Sequence, residues 1–244
     1  MYTVIIRMRN DFKHLPIVTE AWRLQTLPPA EILIVDGSDK PTAYKLGVNE
    51  RYIHTGPGIA KQTNEGVKAC KTDTFILSNS DIVPHPQYAS EQYAFITPYT
   101  LVFGIWVDVP DFDHLPDVDI YPPFLQHIYY YGRERAPVPH DVAMHHKATF
   151  LWYNEALIGK GCEDSEYLFR WLLNGNKCFR NSRQIFYHER HERYTHTDPF
   201  KFNLSVYQHL IGMYITIGLP KFNDHYCIAK PENYEELKEK FKQS

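Results

Sequence analysis

Residues 75–84 read Phe-Ile-Leu-Ser-Asn-Ser-Asp-Ile-Val-Pro, and no other stretch narrows the possible folds of this chain as much. A short apolar run is closed by small polar residues, one acid and a proline. That is the pattern of a buried strand of four to eight residues, here expected at the centre of a sheet. In open α/β sheets, ligands gather just beyond the carboxyl ends of such strands, where Asp81 is expected. One acid at a strand end is ordinarily a turn residue. Asp81 stands out because of what precedes and follows it.

The upstream chain alternates strand and helix. Tyr2 to Met8 is β-rich and forms the expected first strand, broken by Arg9-Asn10-Asp11. Leu15, Val18 and Trp22 recur at helical spacing, which predicts an amphipathic helix to about Gln25, ended by Pro28-Pro29. Glu31 to Val35 is a second buried strand, closed by Asp36-Gly37-Ser38-Asp39. Tyr52-Ile53-His54 is a short third strand, and Ala60, Thr63, Val67 and Cys70 mark a helix leading to the Phe75 strand. Such alternation implies right-handed crossovers and a mostly parallel sheet flanked by helices. Gly56-Pro57-Gly58 matches neither G-x-G-x-x-G nor a P-loop, and by itself reads as a turn into a helix.

Downstream the pattern is less regular. Thr100 to Val109 reads as a strand. The stretch from Asp108 to Tyr131 is rich in Asp, Pro and Tyr with poor periodicity, and long irregular segments in compact domains tend to be functional loops, here suited to acceptor contacts. Leu157 to Cys162 leads into Glu163-Asp164-Ser165-Glu166 and a helix with Leu168, Trp171 and Leu172 on its buried face, stopped by Gly175. Acids in a first helical turn ordinarily complement the helix dipole and cap free N–H groups. Gln184 to Tyr187 is a late strand, followed by His188-Glu189-Arg190-His191. A helix is expected from Asp198-Pro199 towards Ile217, and a charged one over 231–244. No linker divides the 244 residues, so a single domain is expected.

Composition excludes several classes. A net charge of −3 leaves no footprint for nucleic acid. Cys70, Cys162, Cys178 and Cys227 form no C-x-x-C pair, which argues against a zinc ribbon or disulfide framework and fits a reducing compartment. The N-terminus lacks the apolar run of a signal peptide, and no window approaches the ~18 apolar residues of a membrane span. A cytoplasmic protein without a transmembrane segment is therefore expected. The 18 Tyr suit sugar binding, but they fill cores equally well.

The order of these pieces carries a resemblance. The strand ending in Asp36-Gly37-Ser38, the glycine-started helix to Asn64-Glu65-Gly66, the strand ending in Asn79-Ser80-Asp81, then Gly161-Cys162-Glu163-Asp164 and the late His188 resemble the GT-A glycosyltransferases, notably the inverting family-two enzymes, over residues 1–90 and 150–190. The resemblance implies a Rossmann-like GT-A domain. Residues 1–90 would form its nucleotide-sugar-binding half, 91–197 its acceptor and catalytic half, and 198–244 C-terminal helices. It implies transfer of a sugar, of the hexosyl type, from a nucleoside-diphosphate sugar to a glycan or other hydroxyl acceptor, with inversion. Asp36 would hydrogen-bond the base, with Ile6 and Met8 flanking it. Asn79-Ser80-Asp81 matches the D-x-D motif whose last acid holds a divalent cation, Mn²⁺ or Mg²⁺, on the donor diphosphate. Asp164 matches the general base, with Glu163 beside it, and His188 matches a late histidine that completes the metal shell, a part His191 could also take. Two positions depart from the family: Asn79 replaces the first aspartate, and Thr63 replaces a basic residue, whose charge Lys61 is expected to supply.

Three rivals compete. A metal-dependent hydrolase could use His140, His145, His146, His188, His191 and His196, but no H-E-x-x-H spacing occurs. A non-catalytic sugar or nucleotide binder on the same fold is opposed by the retention of Asp81 and Asp164. A nucleotidyltransferase would need a richer basic, glycine-containing loop than Arg7-Met8-Arg9-Asn10 after its first strand.

Overall fold

The first three apolar runs lie side by side. β1 (Thr3–Met8) pairs in parallel with β2 (Glu31–Asp36), β2 with β3 (Glu50–His54), and β1 on its other edge with β4 (Thr74–Asn79). Between them run α1 (Leu15–Arg23) and α2 (Ile59–Ala69). The computed structural model describes residues 1–116, 125–128, 142–157, 161–174 and 176–190. The helices expected after Asp198 and over 231–244 lie outside the described residues, as do Gly159, Lys160, Gly175, His140, His191 and His196.

Side-chain alternation along a strand sorts these residues into two layers. Ile5, Leu33, Val35, Phe75 and Leu77 share one core with Ala60 and Val67 of α2. Val4, Ile6, Ile32, Ile34 and Ile76 share another with Leu15, Val18 and Trp22 of α1. Burial on both faces explains why the strands read as unbroken apolar runs. Each fully buried aliphatic side chain contributes about 1.5–3 kcal/mol relative to exposure, so these two cores hold the sheet. Gly66 lets α2 lie close on it: a Cβ there would stand 2.6 Å from Ile5 Cγ2.

The Phe75–Pro84 stretch is not one strand ending in a turn. β4 stops at Asn79, and β5 (Ile82–Pro84) begins after two intervening residues in a second sheet. There it pairs antiparallel with β9 (Lys177–Glu189), which on its other edge pairs in parallel with β6 (Thr100–Val109). β7 (Leu125–Ile128) joins the early part of β9. A short helix, α3 (Tyr88–Tyr93), follows β5, and its Tyr88 ring meets Trp22 edge-on at 6.2 Å. β8 (Met144–His146) closes the first sheet, antiparallel to β4, giving the order β3-β2-β1-β4-β8.

The last helix, α4 (Glu163–Leu173), packs Tyr167, Leu168 and Trp171 into the α2 core. Asn64 of α2 ties down the chain that approaches it. Its Oδ1 accepts from Tyr153 N–H (2.9 Å), while its Nδ2 donates to Tyr153 O (3.0 Å) and Glu155 Oε1 (2.8 Å). Among the described residues, no helix is long and apolar enough to cross a membrane.

Candidate active site

The carboxyl ends of β1, β2 and β4 bring the expected residues to one edge of the sheet. Asp36, the last residue of β2, is fully buried and already engaged. Its Oδ1 accepts from Ser38 N–H (2.8 Å) and its Oδ2 from the Tyr52 hydroxyl, which in turn accepts from Thr42 N–H (3.0 Å). Burial and the Asp36 carboxylate push the Tyr52 phenol above its ordinary value. Asp36 therefore organises the 36–42 turn, whatever else it holds. Ile6 and Met8 are core residues on the α1 side. The carbonyl of Met8 accepts from Gly37 N–H (2.8 Å) and from Gln62 Nε2 (2.7 Å), which also donates to Val35 O (2.9 Å). Gln62 thereby clamps the ends of β1 and β2 together.

Arg7, which the sequence reading left unassigned, occupies the centre. It is 3% exposed, and its Nε and Nη2 both donate to Asn79 Oδ1, at 3.1 and 2.9 Å. Its Nη1 donates to Thr63 Oγ1 at 3.0 Å. The register puts Arg7 opposite Asn79, and alternation turns both side chains to the α2 face, where Thr63 stands. A guanidinium has only donors, so the atom of Asn79 facing it must be the carbonyl oxygen. The cation beside Thr63 thus comes from β1, while Lys61 is exposed at the start of α2.

Ser80 and Asp81 span the gap between the sheets. Ser80 N–H donates to Arg7 O (3.1 Å) in the first sheet, and Glu189 N–H donates to Asp81 O (3.3 Å) from the second. Ser80 Oγ also bonds Asp11 Oδ2 at 3.1 Å. His188 pairs with Ile82 across β5 and β9, which brings its Nε2 to 3.5 Å from Asp81 Oδ2. Its Nδ1 lies 3.3 Å from Asp108 Oδ1, and the Trp106 ring packs against its ring at a 50° tilt, centroids 4.1 Å apart. Partial burial works to raise the Asp108 carboxyl, yet the Trp106 N–H, His188 and Arg190 hold it below its ordinary value. Among the described residues, no group of three or more His, Cys, Asp or Glu side chains is arranged to hold a metal. A carboxylate and an imidazole at this separation are of a kind to supply two ligands to a divalent cation.

Glu163 and Asp164 open α4, Glu163 buried and Asp164 half-buried. The chain enters through Gly161 (φ 110°) and Cys162 (φ 67°), and Glu166 N–H donates to Cys162 O (3.0 Å) to start the helix. A left-handed non-glycine residue of this kind costs on the order of 1–3 kcal/mol and concentrates at functional sites. Burial, with the neighbouring charges of Glu163 and Asp164, pushes the Cys162 thiol up to about 12. Deeper in the helix, Glu166 holds Arg170 through two hydrogen bonds of 2.6 and 2.8 Å.

A family model described as "Glycosyl transferase family 2" matches residues 3–151. No curated protein matches the chain. Among solved structures, S. aureus TarS superposes with a TM-score of 0.60 at 15% identity, over 90% of this chain and 40% of that one. A TarS fragment in complex with UDP-GlcNAc gives 0.63 at 15%, over 98% and 71%. GalNAc-T7 with UDP, GalNAc and Mn²⁺ gives 0.64 at 13%, over 100% and 54%. The fold is that of the GT-A glycosyltransferases, and the chain spans about half or less of the longer proteins in this set.

Proposed function

Since the chain belongs to glycosyl transferase family 2, we propose that it moves a hexosyl group from a nucleoside-diphosphate sugar to a hydroxyl acceptor, with inversion at the anomeric carbon. The whole chain acts as one domain, with the donor in the 1–90 half. The base lies against the ends of β1 and β2, near Ile6, Met8 and Asp36. Asn79, Ser80 and Lys61 face the diphosphate. Asp81 and His188 would hold a Mn²⁺ or Mg²⁺ ion, which would supply charge neutralisation for the leaving diphosphate. Asp164 takes the proton from the acceptor hydroxyl as it attacks, and Glu163 orients that hydroxyl. The reaction would take place in the cytoplasm, where nucleotide sugars are the available donors.

One observation carries the reading: Asp81 and His188, far apart in sequence, meet at 3.5 Å beyond the carboxyl end of a central strand. That is where α/β sheets hold ligands. The test is release of nucleoside diphosphate from a panel of nucleotide sugars, with Mn²⁺ and with EDTA. Turnover of one donor, lost in EDTA and in Asp81→Ala, is the expected result. Equal turnover in EDTA removes the cation from the mechanism, and turnover of no donor overturns the function.

A further inference from the structure

His188 is gripped from two sides by residues of different strands. Register explains how: β9 carries it between Ile82 of β5 and Asp108 of β6, so Asp108 is its partner across a parallel pair. Trp106, two residues before Asp108, shares its face of β6. The Trp106 indole packs against the imidazole with ring centroids 4.1 Å apart and planes tilted by 50°, and its Nε1 donates to Asp108 Oδ1 at 2.6 Å, the same oxygen that lies 3.3 Å from His188 Nδ1. The other ring nitrogen, Nε2, faces Asp81.

We propose that Asp108, held by Trp106, is the positioning residue of the cation site, accepting the Nδ1 proton of His188 so that Nε2 is the ligating nitrogen. The inference rests on the cation reading above and extends it to two residues outside every motif in the sequence. An ionised carboxylate can only accept, so the imidazole nitrogen it faces must carry the hydrogen. The lone pair then sits on the nitrogen turned to Asp81, where a cation would be bound. The indole N–H keeps the carboxylate from turning away, and the tilted indole packed against the imidazole limits its rotation.

Binding of Mn²⁺ in the presence of UDP, followed by the EPR signal of free Mn²⁺, tests this without reference to turnover. Asp108→Ala is expected to weaken Mn²⁺ about 10–100-fold, the usual effect of losing such a partner, and Trp106→Phe to weaken it less. In the Mg²⁺-loaded protein, ¹⁵N shifts of His188 should show a protonated Nδ1 in the native chain and a mixture of tautomers in Asp108→Ala. Asp108→Glu, which keeps a carboxylate, should recover part of the affinity. If the native protein binds Mn²⁺ and Asp108→Ala binds it equally well with unchanged ¹⁵N shifts, the positioning role is overturned while the cation reading stands. If the native protein and His188→Ala bind Mn²⁺ alike, the cation reading itself fails. Should Asp108→Ala not fold, the Trp106→Phe shifts decide: a fixed Nδ1 proton with native affinity overturns the proposal.

Discussion

Asn79 turns its carbonyl oxygen inward, to a buried arginine, and not outward to a cation. Two donors of Arg7 converge on that oxygen and a third reaches Thr63, so the departures from the family at positions 79 and 63 are served by one guanidinium. The sequence could not reveal this, because Arg7 looks like an ordinary residue of a β-rich run until register places it opposite Asn79. In a double-mutant cycle, Arg7→Met and Asn79→Leu should show a coupling of about 0.5–3 kcal/mol in urea unfolding, as residues sharing hydrogen bonds do. A cycle that is additive within experimental error would mean the fork contributes nothing. Asp164 calls for a different comparison. Asp164 is the second residue of α4, where its charge complements the helix dipole by only about 0.3–1 kcal/mol, so Asp164→Asn should keep the fold and donor binding while turnover falls ~10²–10⁴-fold. Near-native turnover in that variant would reduce Asp164 to the dipole-complementing role that its place in the first turn already explains, and would shift the base to Glu163.

At the level of elements, legibility followed burial on both faces. β1, β2 and β4 announce themselves because each carries an unbroken apolar run through its middle, and α1 and α2 because their buried faces repeat at helical spacing. The second sheet was hidden for two reasons. β5 has three residues, too few to show any period, and β9 carries the polar run Arg180 to Gln184 through its middle, with Asn181 and Gln184 buried. Only its apolar end, Gln184 to Tyr187, reads as a strand in sequence. α3, at six residues, is likewise below the length at which a helical period can be recognised. The Asn64-Glu65-Gly66 stretch did signal importance, and the structure gives it a packing meaning: Asn64 moors the approach to α4, and Gly66 brings α2 down onto Ile5. Gly66→Ala sets a gain in helix propensity of up to about 1 kcal/mol against a methyl 2.6 Å from Ile5 Cγ2 and 3.1 Å from Val35 Cγ2. Overpacking of that kind costs about 1–3 kcal/mol, so net destabilisation is expected in urea unfolding. A more stable variant would show that α2 can lift away freely.

For the molecule as a whole, donor binding and folding are linked. A ligand that binds only the native state raises stability by about 2.7 kcal/mol at a hundred times its dissociation constant. In a chain of this size that corresponds to a rise in Tm of roughly 5–10 °C. The nucleoside diphosphate of the proposed donor should produce such a shift together with Mn²⁺, and either one alone a smaller one. Equal shifts for the nucleotide with and without Mn²⁺ would separate the nucleotide from the cation. Between the two sheets, meanwhile, the chain has only Ser80 and Asp81 to work with. Asn79 is locked opposite Arg7 on one side and Ile82 opposite His188 on the other. Adding or deleting a residue there would slip one sheet by a step, and a one-residue slip turns every side chain of a strand to its opposite face. The interval between positions 79 and 81, which reads as a chemical motif, is therefore a dimension of the architecture: substitution can change what stands at either position, but the number of residues between the two sheets is not free to drift.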